Sequence, residues 1–151
     1  MAQKITPFLW FTGRLEEAVG FYTSVFPDSE VLELVSRDGE VFTASFRIGG
    51  VEVSGMNTPE GPRFTEAISL VVDCEDQAEV DRYWEALTAD GGREDRCGWL
   101  VDRFGVSWQI IPRRLIELVN DPDPGRAQRA MEEMLTQRKI DIAALERAAD
   151  G

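Results

Sequence analysis

The chain has 151 residues, 43% hydrophobic and 29% charged, with 28 acidic against 16 basic residues for a formal net charge of −12. That composition argues against a disordered chain, and the excess of negative charge repels the phosphates that a nucleic-acid or anionic-membrane partner would present. The length suits one compact domain with a substantial core.

No apolar run approaches a membrane span, and the start Met1-Ala2-Gln3-Lys4 leads into a strand-like segment rather than a signal peptide. A cytoplasmic location is therefore expected. Cys74 and Cys97 are expected there as two free thiols.

Residues 5–11, ITPFLWF, read as a buried first strand that ends at Thr12-Gly13. Leu15, Ala18, Val19, Tyr22, Val25 and Phe26 then recur at helical spacing, with Glu16 and Glu17 in the first turn and Pro27 as the stop. Residues 30–36, 41–48 and 51–57 read as three strands, separated by Arg37-Asp38-Gly39-Glu40 and by the two-residue turn Gly49-Gly50. The order βαβββ then repeats. Residues 67–73 are a predicted strand, and Asp76 with Glu79 opens a helix through Val80, Tyr83, Trp84 and Leu87. Residues 93–96, 98–101 and 106–112 are short strand candidates.

Beyond Pro112 the composition changes. Asp121-Pro122-Asp123-Pro124-Gly125 is a breaker, and Ala127, Ala130, Met131, Met134 and Leu135 behind it form one apolar helical stripe. A last helix is expected from Asp141 as N-cap, with Ile140 and Leu145 spaced as a hydrophobic staple. The domain reading is a duplicated unit over residues 1–112, with modules at about 5–57 and 67–112, followed by a helical appendage over 113–151. The stripe either packs on the chain's own sheet or meets a second copy.

The duplicated order, together with EEAVGFYTSVFPDSEV, CGWLVDRFGVSWQIIP and DPDPGRAQRAMEEML, resembles the PhnB-like branch of the vicinal-oxygen-chelate (glyoxalase and bleomycin-resistance) superfamily. That branch is also labelled demethylubiquinone methyltransferase-like. The resemblance covers residues 5–145 and implies an α+β fold, two βαβββ modules forming a curved mixed sheet with a concave cup. It implies a homodimer as well, since the fold commonly completes or shares its cups between chains. In metal-dependent members, His and Glu or Gln from four strands hold one divalent ion. The matching positions here are at or near Pro7, Ser54, Ala67 and Gln109, and the chain contains no histidine. One amide oxygen cannot hold such an ion against water, so neither a metal nor another cofactor is expected. For methyl transfer, the sequence offers no glycine-rich nucleotide loop after a strand.

The Gly49-Gly50 turn pairs Ile48 with Val51 and, further along, Arg47 with Glu52, Phe46 with Val53 and Ser45 with Ser54. Alternation then places Phe42, Ala44, Phe46, Ile48, Val51 and Val53 under the helix, and Thr43, Ser45, Arg47, Glu52, Ser54 and Met56 on the opposite face. In the second half Ala67, Ser69, Val71, Ser107, Gln109 and Ile111 share the equivalent face. In the first strand either Phe8 and Trp10 or Leu9 and Phe11 could point that way.

The candidate ligand-binding set is Trp10, Thr43, Ser45, Ser54, Met56, Ser69, Trp99, Ser107 and Gln109. Arg47 with Glu52 reads as a cross-strand ion pair, Trp84 and Trp108 as core, Cys97 as an inert thiol, and Asp102-Arg103 as turn chemistry with Gly105. Catalytic residues are not identifiable from the sequence. Three functions compete: metal-free binding of a small organic molecule in the cup, a metal-independent isomerase, lyase or hydrolase (or, by the family label, a methyltransferase), and an interaction module working through the C-terminal helices. The first is favoured because no candidate side chain has an evident route to a pKa near neutrality.

Overall fold

The computed structural model describes residues 3–151, which leaves Met1 and Ala2 of the N-terminal start outside the described residues. The chain divides into two units, one ending at Arg63 and the other beginning at Phe64. The helices after Pro112 are part of the second unit.

The first unit runs β1 (Phe8–Thr12), α1 (Leu15–Val25), β2 (Glu30–Arg37), β3 (Glu40–Ile48) and β4 (Val51–Thr58). Its four-stranded sheet has the order β1-β4-β3-β2, with β1 parallel to β4 and the other pairs antiparallel. The strand begins at Phe8 rather than at residue 5, because Pro7 has no N–H to give; its carbonyl accepts from Ser54 N at 3.0 Å, and the ladder starts there. Leu9 and Phe11 are buried with Leu15, Ala18, Val19 and Tyr22 of α1, which settles the parity of the strand. Both hairpins turn through two residues of positive φ, Asp38-Gly39 and Gly49-Gly50. That is the turn whose twist matches a right-handed hairpin.

Two expectations for this sheet fail. Between β2 and β3 the register slips from Val35↔Thr43 to Ser36↔Val41, which leaves Phe42 as an extra residue. The bulge turns Val41 into the core at 9% exposure, and Phe42 is half-buried with the Arg37 guanidinium 4.3 Å from its ring. Val51 does not pack under the helix either. It sits beside the Gly49-Gly50 turn and is 47% exposed.

The second unit repeats the plan: β5 (Leu70–Cys74), α2 (Gln77–Thr88), β6 (Arg93–Glu94), β7 (Trp99–Val101) and β8 (Ser107–Pro112), in the order β5-β8-β7-β6 with β5 parallel to β8. Asp76 caps α2 by accepting from Glu79 N at 2.9 Å, and Glu79 Oε2 accepts from the N–H of Glu75, the residue before the cap, at 2.8 Å. Trp84 and Trp108 are buried as expected, and their indole N–H groups are satisfied by Glu94 and Asp102, each at 2.8 Å. Asp102 also accepts from Phe104 N and Val106 N, which locks the turn ahead of β8.

Strand β5 starts at Leu70, not at residue 67, because Thr65 Oγ1 accepts from Ala67 N at 3.3 Å and holds that segment in a turn. Ile68 is consequently 65% exposed rather than facing α2. Strand β6 is cut to two residues by a tight turn over residues 95–98, in which Asp95 N donates to Trp99 O and Cys97 and Gly98 take positive φ.

Three helices complete the unit: α3 (Arg113–Val119), α4 (Pro124–Thr136) and α5 (Ile142–Asp150). The short α3 is not anticipated by the sequence reading. Leu115, Leu118, Ala130, Ile140, Leu145 and Ala149 form one buried cluster, with Ile111 and Met134 packed against it. Asp141 caps α5 by accepting from Ala144 N at 3.1 Å. The stripe on α4 therefore splits. Ala130 and Met134 face the chain's own core, while Met131 and Leu135 are 40% and 56% exposed. No helix among the described residues is long and apolar enough to cross a membrane.

Candidate functional site

The open face of the first sheet is assembled by register alone. Across β2, β3, β4 and β1, one row reads Glu33, Ser45, Ser54 and Phe8, and the next reads Val35, Thr43, Met56 and Trp10. Paired residues on adjacent strands point to the same face, so hydroxyls occupy the middle of one row and an aromatic ring closes each end at β1. A cavity of about 190 Å³ opens on this face, lined by Phe8, Glu33, Val35, Thr43, Ala44, Ser45, Ser54 and Gly55.

Gly55 lets the strand approach the helix behind it. A Cβ there would stand 3.0 Å from both Leu15 Cδ1 and the Leu9 carbonyl oxygen. Trp10 is pinned by its indole: its Nε1–H donates to Thr58 Oγ1 at 2.6 Å, and Thr58 Oγ1 donates to the Glu60 carbonyl at 2.6 Å. A Cβ on Gly61 would lie 2.8 Å from Trp10 Nε1, so the loop after β4 is packed against the indole. The ring of Trp10, 37% exposed, thus has a fixed orientation on the open face.

The next row of this face is charged. Arg47 lies opposite Glu52 in the register, but its guanidinium bonds elsewhere, to Glu30 at 2.9 Å and Asp28 at 3.4 Å. The expected Arg47–Glu52 ion pair is therefore replaced by one with the carboxylates across the other hairpin. The hydrogen bond to Glu30, ahead of the attraction of Asp28, holds the Arg47 pKa above its ordinary value.

In the second sheet, Val71, Gln109 and Trp99 form one row across β5, β8 and β7. Gln109 Nε2 donates to Ser69 Oγ at 2.9 Å. Ser107 has the same parity as Gln109 but is only 3% exposed. Of the nine candidate residues, Trp10, Thr43, Ser45, Ser54 and Met56 share the face of the first sheet. Ser69, Trp99, Ser107 and Gln109 belong to the second.

Phe8, Glu33 and Val35 line the cavity without having been singled out from the sequence. For Phe8 the strand alternation held the signal once its parity was known. For Glu33 the signal was misleading, because an unbulged hairpin from Arg37↔Glu40 would have put it beside Ala44 on the buried face.

The four positions that correspond to metal ligands do not fit a divalent ion. Pro7 offers only a carbonyl already bonded to Ser54 N, Ala67 a methyl group in a turn, and Gln109 an amide engaged with Ser69. Ser54 contributes a neutral hydroxyl, and no group of three or more Cys, Asp or Glu side chains among the described residues could hold an ion. The strand–turn–helix at β1–α1, where a nucleotide loop would sit, carries a single glycine, Gly13, whose N–H donates to Asn57 Oδ1 at 2.7 Å.

Two βαβββ units, each with its first strand parallel to its last in an open mixed sheet, define a protein of the vicinal-oxygen-chelate, glyoxalase-like class. Within that class the chain belongs to the PhnB-like family described as 3-demethylubiquinone-9 3-methyltransferase, whose model matches residues 3–111. It is 35% identical to a Bacillus cereus PhnB protein described as a putative 3-demethylubiquinone-9 3-methyltransferase, over 73% of this chain and 99% of that one, with a TM-score of 0.67. A glyoxylase/bleomycin resistance protein/dioxygenase domain from Frankia shares the fold at 16% identity, 73% and 96% coverage and a TM-score of 0.52. So does the fosfomycin resistance protein FosX of Listeria monocytogenes, solved with Mn(II) and sulfate, at 15% identity, 73% and 92% coverage and a TM-score of 0.51. No curated protein matches the chain.

Proposed function

We propose that the chain binds a small organic molecule on the open face of its first sheet, without a protein-bound metal. The observation that carries this reading is the cavity of about 190 Å³ in which Ser45 and Ser54 lie between Phe8 and Glu33, with Thr43 in the adjoining row. Ligand sites combine apolar walls with a few fixed polar groups, and drug-sized ones begin near ~300 Å³, so this cavity suits a small metabolite or one group of a larger one. The hydroxyls supply donors and acceptors that need no deprotonation. Among the described residues, no carboxylate is hydrogen-bonded to Ser45 or Ser54 to activate it, so binding is favoured over a nucleophilic or general-base role.

A thermal-shift screen of small metabolites in excess EDTA tests the proposal, since a ligand specific for the folded state raises the melting temperature. The expected result is stabilisation of the wild type by a class of small molecules and loss of that response in Ser45→Phe, which fills the cavity. Stabilisation that persists in Ser45→Phe, or that requires an added divalent ion, contradicts it. A homodimer is proposed alongside, formed by the apolar side chains that α4 leaves exposed.

A further inference from the structure

We infer that the group seated in the first-sheet cavity is a small organic cation, a protonated amine carried next to an apolar or aromatic body. The inference rests on the reading of that cavity as a ligand site and adds the charge of what enters it. Glu33 is the one ionisable side chain among the lining residues. It stands at the β2 end of the row Glu33–Ser45–Ser54–Phe8, and the four backbones of that row span roughly three strand spacings, about 14 Å. A ligand lying along the row meets a carboxylate first, then two hydroxyls, then an aromatic face that is 58% exposed. An ammonium at the Glu33 end can donate to the carboxylate and to the neighbouring Ser45 hydroxyl, while its hydrocarbon extends along the row toward Phe8 with Val35 beside it.

The surrounding charges point the same way. An anion entering this face would need a cation; the Arg47 guanidinium is already bonded to Glu30 and Asp28, and that of Arg37, further along β2, lies over the Phe42 ring. Glu33 has no salt bridge or side-chain hydrogen bond with any described residue, so its carboxylate is available to a ligand. The net charge of −12 adds a long-range field that concentrates cations near the surface and depletes anions.

Benzylamine, benzyl alcohol and benzoate are near-isosteric probes of opposite or no charge. Their affinities are to be measured by NMR titration at physiological salt, with the wild type, Glu33→Gln and, as a control for the general field, Glu40→Gln at the start of β3. The inference predicts benzylamine binding at least tenfold tighter than either other probe. Glu33→Gln should remove most of that preference without changing benzyl alcohol affinity, and Glu40→Gln should leave the preference intact. If benzyl alcohol or benzoate binds as well as benzylamine, or Glu33→Gln keeps the preference, the charge assignment is wrong while the cavity remains a ligand site. If none of the three shifts the Phe8 or Trp10 resonances, the cavity reading falls with it.

Discussion

Cys74 is fully buried at the end of β5, where its thiol donates to the Val72 carbonyl at 3.8 Å. Burial first, and then the nearby Glu79 and Asp73 carboxylates, push its pKa from 9.0 up to about 12. The sign follows from proton counting. Between those two values the folded state keeps the thiol proton and the unfolded state has lost it, so stability falls as pH rises, by at most about 1.4 kcal/mol per pH unit from this group. Below the unfolded value the contribution is fully present. Urea unfolding of wild type and Cys74→Ala at pH 8 and pH 10 should show the wild type losing more stability than the variant; an equal loss in both would contradict this account.

Residue-level readings succeeded where a side chain obeys strict alternation. Ser45, Ser54, Thr43 and Met56 share a face because the Gly49-Gly50 turn fixes the β3–β4 register, and the observed pairs Ser45↔Ser54 and Thr43↔Met56 follow from it. They failed at Phe42, since a bulge is one extra residue that reverses parity and has no compositional marker in VSRDGEVF, and the same bulge is what puts Glu33 on the open face.

At the scale of elements, Gln77 of α2 clamps the chain where it enters the last C-terminal helix. Gln77 Nε2 donates to the Ile140 carbonyl and Gln77 Oε1 accepts from Ile142 N, both at 2.9 Å, where the chain turns into α5. Asp81, one turn further along α2, accepts from Gln77 and pairs with Lys139 at 2.9 Å. Gln77→Ala leaves two backbone groups of the α4–α5 connection without their partner, a loss of about 1–3 kcal/mol. Amide hydrogen exchange should then accelerate in α5 while the centre of α2 keeps its protection. Unchanged exchange in α5 would show that the apolar cluster alone holds the helix.

Such a clamp was not legible in the sequence, because the groups it bonds lie 63 and 65 residues from Gln77 and both are backbone. The helices themselves were legible from spacing, except α3. Its seven residues hold under two turns, and Pro112, which ends β8, also occupies its N-cap position.

For the whole molecule, the duplication was visible only as element order, and the structure gives it a stronger form: strand orders β1-β4-β3-β2 and β5-β8-β7-β6 are the same pattern. The proposed homodimer belongs to this scale as well. Met131 and Leu135 on α4 are 40% and 56% exposed, so burying the rest of each against a partner contributes roughly half of the ~1.5–3 kcal/mol of a full burial. Light scattering should report two chains for the wild type and one for the double variant Met131→Glu, Leu135→Glu. A wild type already monomeric at micromolar concentration, or a double variant that stays dimeric, would remove α4 from the interface.

Whether a small molecule binds the open face of the first sheet with no metal involved decides the proposed function. The most direct measurement is a 1H–15N NMR map of the wild type in excess EDTA, titrated with whichever compound most raises its melting temperature. The account predicts that shifts concentrate on the Trp10 indole N–H and on the amides of Phe8, Thr43, Ser45 and Ser54. Shifts confined to the second unit, or binding that appears only after a divalent ion is added back, would contradict it.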